Sequence, residues 1–446
     1  MATQSALLGG IEPDQVIVLV MLIVCTTAAL FSRIMIPSIV LLICPILGQA
    51  TEGSPWVTLP VGALDILGVW LLIFGGITIL FQFKSGNLLK EKLVLIVLAF
   101  GFLALLSVIQ SPAKVTTLKE VIRFAAATIM LPVSFLLAKQ PKKRLVIVVS
   151  IFISLIIPSL VGLYQKITGD IDLGGTLRDA TEIDEELYEA GMARIYSTFW
   201  GIQGFAKYLI ILISTTFSFF VLEKRKNTKF ICFGFFAIAF AMLIFTYSRG
   251  GLISVMLSLI SILYAANKLR FKFVITLLPI ILVFLLTTGV FSRFADVFKP
   301  VDWQSAKREN SLESRGVIWS QALPLALQRP IQGHGLGTFS DANDKGKVAH
   351  NDYLGLFYEL GIGGPILHLL FLAMASRKAF VCSRNRQLTF FDRSIALSTF
   401  GSSNAIILWS NTENIFQSTI MWWFYLALLG CLMNVDNIEK LDNQKA

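Results

Sequence analysis

The chain has 446 residues, 55% of them hydrophobic and only 15% charged, with a mean hydropathy of +0.73. Those values exclude an ordinary soluble domain and point to a polytopic membrane protein. The formal net charge of +10 has meaning only against the places where lysine and arginine collect.

A bilayer core of roughly 30 Å needs about 20 apolar residues per helical crossing. Such runs predict spans at 15–31, 34–49, 61–82, 93–110, 121–138, 145–165, 204–222, 230–246, 250–266, 273–291, 352–375, 395–411 and 414–434. The expected fold is an all-α polytopic membrane protein of about 12–13 transmembrane helices, with 1–446 as a single integral membrane domain. The run 34–49 is the shortest, and Pro37 and Pro45 fall inside it, so a bent or re-entrant segment is expected there. No basic residue precedes the first apolar run, so no cleavable signal is expected.

Alternate connections carry KSGNLLKEK (84–92), KQPKKR (139–144), EKRKNTK (223–229), NKLRFK (267–272) and SRKAFVCSRNRQLTFFDR (376–393). Short basic loops stay on the cytoplasmic side, which puts the N-terminus outside and the C-terminus inside. The intervening connections are then external: 50–60, 111–120, 166–203, 247–249 and 292–351. The positive charge is thus membrane-surface charge and gives no support for a nucleic-acid partner. Segments 166–203 and 292–351 are the two long external loops, and loops of that length are usually functional. The five cysteines (Cys25, Cys44, Cys232, Cys382, Cys431) form no C-x-x-C pair and avoid the external loops, which argues against disulfides and thiolate metal sites.

Ionisable residues gather at the external interface. Arg194 lies just before a span, Arg249 in the turn FTYSRGGLIS (245–254), Arg315 in the second long loop, and His350–Asn351 close that loop. Two glycines after Arg249 suggest a tight reversal. Taken singly, Arg194 and Arg315 suit snorkelling or lipid phosphate, and His350 and Asn351 suit a helix cap. Groups of this kind arriving from four segments make a functional site the default reading. His334, in GHGLG, reads as a loop histidine, and His368 as a packing or helix–helix hydrogen-bonding residue along the same helix as His350. Glu359, about 180° round that helix from His350, should face elsewhere. The triplet D-I-D (170–172) resembles a metal-binding carboxylate pair, but such triplets are common by chance. The glycine-rich stretches lack the strand–turn–helix context of phosphate loops. No metal and no cofactor is expected.

These residues also carry a resemblance. His350, Asn351, nine residues, Gly361 and Gly364 meet the pattern H-[NSQ]-x9-G-x-x-G in full. YSRGGL (247–252) and SRGVIWSQALPLALQRPIQGHGLGTF (314–339) match two further motifs in order. Together they resemble the O-antigen ligase and Wzy-type polymerase superfamily of integral membrane glycosyltransferases, which are similar to the C-type glycosyltransferase architecture. RIYSTFWGIQ (194–203) matches a fourth motif only in part, keeping Arg and Thr-Phe but lacking its Gly and both Asn. That departure bears on substrate details near the first long loop.

The resemblance implies an inverting, metal-independent transfer from an undecaprenyl-diphosphate-linked glycan on the periplasmic face of the bacterial inner membrane. Under it His350 is the general base or orients the acceptor, Arg249 and Arg194 clamp the diphosphate, and Arg315 positions donor or acceptor. Asn351 caps the helix and fixes the imidazole, while Gly361 and Gly364 permit close helix approach within the span. The implied partners are the lipid-linked donor, a glycan or lipid-linked acceptor, membrane lipid, a flippase and a chain-length regulator. The acceptor distinguishes a polymerase, the favoured reading, from a ligase acting on lipid A–core or a protein O-oligosaccharyltransferase. A small-molecule transporter and a structural membrane partner stay as rival classes. A transport path would call for charges in mid-membrane, where Asp65 is the clearest case.

Overall fold

The apolar runs form helices whose ends follow the prolines, glycines and basic pairs that interrupt them. The computed structural model describes residues 13–47, 63–82, 88–169, 194–199, 201–268, 312–343 and 346–443. Its helices are α1 Pro13–Phe31, α2 Met35–Ile43, α3 Ala63–Gln82, α4 Lys92–Gln110, α5 Lys114–Thr128, α6 Met130–Leu137, α7 Pro141–Ser154 and α8 Ile156–Thr168. They continue as α9 Ile202–Leu222, α10 Lys226–Phe245, α11 Arg249–Ala265, α12 Leu312–Gln328, α13 Phe339–Ala342, α14 Asp352–Leu360, α15 Gly363–Arg384, α16 Phe390–Trp409 and α17 Thr419–Asn443. No strand occurs among the described residues, and the protein is an all-α polytopic membrane protein.

Among the described residues, seven helical stretches are long and apolar enough to cross a membrane: Leu64–Gln82, Lys92–Gln110, Lys114–Leu137, Pro141–Thr168, Ile202–Leu222, Lys226–Phe245 and Gly363–Arg384. Met21–Phe31, Arg249–Ala265 and Thr419–Val435 are shorter apolar helices. The expected span at 273–291, Asp170 and Asp172, most of the first long loop (170–193) and the first third of the second (292–311) lie outside the described residues. The expected span at 34–49 is not a crossing. It is the nine-residue α2, and at about 1.5 Å per residue such a helix cannot traverse a 30 Å core.

The centre of the bundle is α9, 89% buried along its apolar window against 28% for the neighbouring α10. A helix apolar on every side belongs inside, where no face has to meet water. Small residues let its neighbours approach. Ser214 and Ser258 join α9 to α11 by a 2.7 Å hydroxyl contact, and a Cβ on Gly401 of α16 would stand 2.6 Å from Ser258 Oγ. Without a hydrophobic drive between helices in lipid, such close packing and interhelical hydrogen bonds supply the cohesion.

The connections sort to two ends. At one end Arg144 of α7 bonds Asp392 of α16 at 3.0 Å, Arg384 bonds Tyr264 O at 3.0 Å, and Lys378 meets Glu91 at 3.5 Å. The connections that carry Glu91, Arg144 and the residues 376–393, together with the end of α11, therefore share one end. At the other end lie the turn 245–249, the loop 329–338 and the segment 410–418. Asp65, read above as a mid-membrane charge, sits in the first turn of α3. Arg123 forks onto it at 2.8 and 2.7 Å and holds Glu120 at 2.8 Å. It is a paired charge near a helix end.

The continuous helix expected over 352–375 is broken. Gly361 takes φ +67° as the C-cap of α14, and Ile362 N donates to Pro330 O at 2.8 Å. The loop 329–338 covers this break. His334 N and Gly335 N donate to Tyr358 O and Glu359 O at 3.0 and 2.9 Å, satisfying carbonyls that the end of α14 leaves without helical partners. Gly361 thus serves the break, where helix approach within a span was expected of it. A Cβ there would stand 2.2 Å from Ile331 O, and one on Gly333 (φ +71°) 2.3 Å from Glu359 O. Gly364 does make the close approach, with Leu356 O 2.7 Å from an added Cβ. Gly361→Ala is expected to cost about 1–3 kcal/mol, from a left-handed residue with no room. The melting temperature in detergent measures it, and an unchanged value would contradict the packing just described.

Candidate active site

The site begins where α14 begins. Asn351 takes an extended backbone, and its Oδ1 accepts from Leu354 N at 3.1 Å, the usual arrangement of an N-cap. Its Nδ2 donates to Asn411 O at 3.0 Å, so the same side chain also fastens the segment 410–416. The hydrogen bonds of the Asn351 side chain thus go to Leu354 and Asn411, where a bond fixing the imidazole had been expected. His350, just before it, has φ 48°, an uncommon conformation for a residue with a side chain. Its ring turns toward that segment too, with Nδ1 3.2 Å from Glu413 Oε1.

Glu413 is the hub. Its carboxylate is 3% exposed and also meets Arg315 Nη2 at 3.3 Å and Lys207 Nζ at 3.6 Å. Lys207 donates to Asn414 O at 2.5 Å besides. Burial alone would raise the carboxyl group's pKa. Lys207, the His350 hydrogen bond and Arg315 together outweigh burial and hold it at about 2. An ionised carboxylate can only accept, so the Nδ1 facing it carries the ring proton. In the unprotonated ring Nε2 is then the acceptor, a tautomer assigned from the partner.

The arginines reach this centre from two other directions. Arg315 stands on helix α12, where a loop position had been expected. Arg194 Nε donates to Thr246 O at 3.1 Å, and Ile195 N to Phe245 O at 3.2 Å. That strand of chain is thereby laid on the turn from α10 to α11. Arg249 is the first residue of α11, capped by Ser248, whose Oγ accepts from Gly251 N. The reversal is not made by the glycines. Tyr247 supplies the positive φ, 52°, while Gly250 and Gly251 lie in the helix. Their absent side chains make room: a Cβ on Gly250 would stand 2.4 Å from Trp409 Nε1. Trp409 closes α16 immediately before the Glu413 segment, so this contact seats the Arg249 turn beside it. Ser248 Oγ donates to Gln203 Oε1 at 3.0 Å, and Lys207 lies one helical turn along α9 from Gln203. Ser248 thus ties the turn to α9, the helix whose Lys207 reaches Glu413.

The structure thus gathers Arg194, Arg249, Arg315, His350 and Asn351 at one end of the bundle and adds Lys207 and Glu413. Lys207 had no signal beyond being the charge inside the apolar run 204–222. Glu413 sits in NTEN (411–414), a short connection whose paired asparagines and carboxylate between apolar runs were the available cue. Of the remaining histidines, His334 packs on α14 and His368 reaches the start of the 410–416 segment. His334 stacks flat on Tyr358 at 4.2 Å. His368 Nε2 lies 3.4 Å from Ser410 Oγ, an interhelical contact of α15. Because of the break at Gly361, it does not share a helix with His350. Glu359 is buried on the side of α14 that meets the 329–338 loop. Among the described residues no three His, Cys, Asp or Glu side chains group as metal ligands would, and all five cysteines are buried and unpaired by disulfides.

No curated protein matches the chain. Residues 234–369, which include Arg249, Arg315, His350 and both motif glycines, match the family model described as O-Antigen ligase. With its all-helical membrane architecture, this match supports the place of the chain in the O-antigen ligase/polymerase superfamily.

Proposed function

We propose that the protein transfers an oligosaccharide from a polyprenyl-diphosphate lipid to an acceptor hydroxyl, at the periplasmic face of the inner membrane. The family match supports a membrane glycosyltransferase of O-antigen ligase/polymerase type. The observation that carries the finer reading is the imidazole of His350 held by Glu413 beside a buried lysine, Lys207, and a part-buried arginine, Arg315.

The C1–oxygen bond to the diphosphate breaks as an acceptor hydroxyl attacks from the opposite face, inverting the anomeric carbon. Such a reaction asks for fixed positive charge near the leaving phosphates and a base for the hydroxyl proton. Arginine suits the first because its fork contacts phosphate bidentately and stays charged. Arg249 and Arg194, fastened to one turn, are the clamp, while Arg315 and Lys207 add positive potential around Glu413. His350 Nε2 receives the proton, and Glu413 stabilises the imidazolium that results. The fixed cations give the charge compensation a divalent metal would otherwise supply. The favoured acceptor is another lipid-linked repeat unit, making the protein a polymerase. A ligase transfers to lipid A–core and an oligosaccharyltransferase to protein Ser or Thr.

Turnover of a labelled synthetic polyprenyl-diphosphate repeat by the purified protein tests this. Transfer should occur without added metal and persist in EDTA. Arg249→Lys should lose most of it, since a point charge does not reproduce the fork. Loss in EDTA with rescue by magnesium or manganese would overturn metal independence and return Asp170 and Asp172 to consideration. A folded protein that neither binds nor turns over the lipid would overturn the reading as a whole.

A further inference from the structure

We infer that Asp352 is a positioning residue: its buried carboxylate holds the segment 410–416 in the geometry that lets Glu413 orient His350. This rests on the reading of His350 as the base.

Three consecutive residues, 350–352, grip one stretch of chain some 60 positions away. His350 meets Glu413, and Asn351 holds Asn411 O. Asp352 makes the most contacts. Its Oδ2 accepts from Ser410 Oγ at 2.7 Å and Ile415 N at 3.2 Å, and its Oδ1 from Phe416 N at 3.0 Å. Its own amide donates to Ser410 O at 2.8 Å. The bonds fall on both sides of Glu413, so they fix where that residue stands along the segment.

The cost of this arrangement argues for its purpose. Burying a carboxylate is expensive, and the Asp352 side chain is 2% exposed. Capping α14 does not require it, because Asn351 already does so. His368 backs the carboxylate, with Nε2 3.9 Å from Oδ2, and lies edge-on to Phe416 and Trp422. The segment is thus clamped between α14, α15 and α17. An amide at 352 keeps one acceptor but turns a donor either toward Ser410 and Ile415 or toward Phe416, and neither the Ile415 nor the Phe416 backbone amide can reverse its role. Asn at this position should therefore let the segment drift. A displacement of about 1 Å at a reacting group can cost 10²-fold in rate.

The chain has only three histidines, so ring-15N histidine labelling reads each one directly in the full protein in nanodiscs. Substitution of His334, His350 and His368 by Gln in turn assigns the signals. The wild-type His350 ring should show the Nδ1–H tautomer. In Asp352→Asn it should become a tautomer mixture, with kcat down about tenfold to 10²-fold and donor KM within about twofold. Ser410→Ala removes a single donor, leaves the carboxylate, and should give a smaller change in the same direction; it decides the matter if Asp352→Asn does not fold. A wild-type His350 signal in both variants would overturn the inference, as would activity that falls only in proportion to the folded fraction. The tautomer readout needs no turnover. If His350→Ala keeps transferring sugar, the base reading fails separately, while the coupling of Asp352 to the His350 ring still stands or falls on the spectra.

Discussion

His350→Ala should lower turnover by about 10²–10⁴-fold, the usual contribution of a positioned base, while donor binding is largely kept. The reason is the division of labour at the site. A base acts on the acceptor hydroxyl in the transition state, so its removal lowers kcat and kcat/KM together. The arginines that would hold the diphosphate stand on other elements, α11 and the segment 194–199. Glu413 keeps Lys207 and Arg315 as partners when the imidazole is gone, so the fold should persist. The measurement needs purified variants of matched thermal stability, with donor affinity determined apart from product formation. Near-normal turnover with lost donor binding would move His350 into the diphosphate site and require another base.

Glu413→Ala should be the most destabilising single change at the site, by about 3–5 kcal/mol, because it leaves two largely enclosed cations facing one another without their counter-charge. Lys207 and Arg315 have side chains only 10% and 17% exposed, so water replaces the lost carboxylate only in part. Glu413→Gln isolates the charge. The carboxyl pKa is held at about 2, against an ordinary 4.5, so the folded state favours the ionised form. That stabilisation, about 3 kcal/mol for such a shift, is complete above pH 4.5 and disappears as pH falls toward 2. The difference in stability between wild type and Glu413→Gln should therefore be level near neutrality and shrink in acid below pH 4.5. A difference independent of pH through that range would show that packing and hydrogen bonding, and not charge, set the role of Glu413.

Much of the scaffold was legible because its causes are local. Apolar length marked α3, α4, α9 and α10 to within a few residues, and the basic pairs marked which connections share an end. The Asn351 cap was legible for the same reason, since an asparagine before a helical run serves its own next turn. Errors came where a residue's role depends on something distant. Gly361 and Gly250 were read as helix-approach and turn glycines, but their nearest atoms belong to Ile331 and Trp409. The span 352–375 looked continuous because its apolar pattern continues through Gly361. Its break is set by the 329–338 loop, whose amides take up the carbonyls of α14.

The sequence by itself determined a helical membrane protein with its unusual charges gathered at one end, and it named His350, Arg249, Arg194 and Arg315 through their motifs. Tertiary structure alone decided that Glu413 is what draws His350, Arg315 and Lys207 together, from 63, 98 and 206 positions away. The physical reason is one of range. Helix periods, caps and charge alternation repeat within a turn or two, so a single chain displays them. A buried carboxylate surrounded by cations is defined only by helix packing, and in the sequence it is one acidic residue in a short connection.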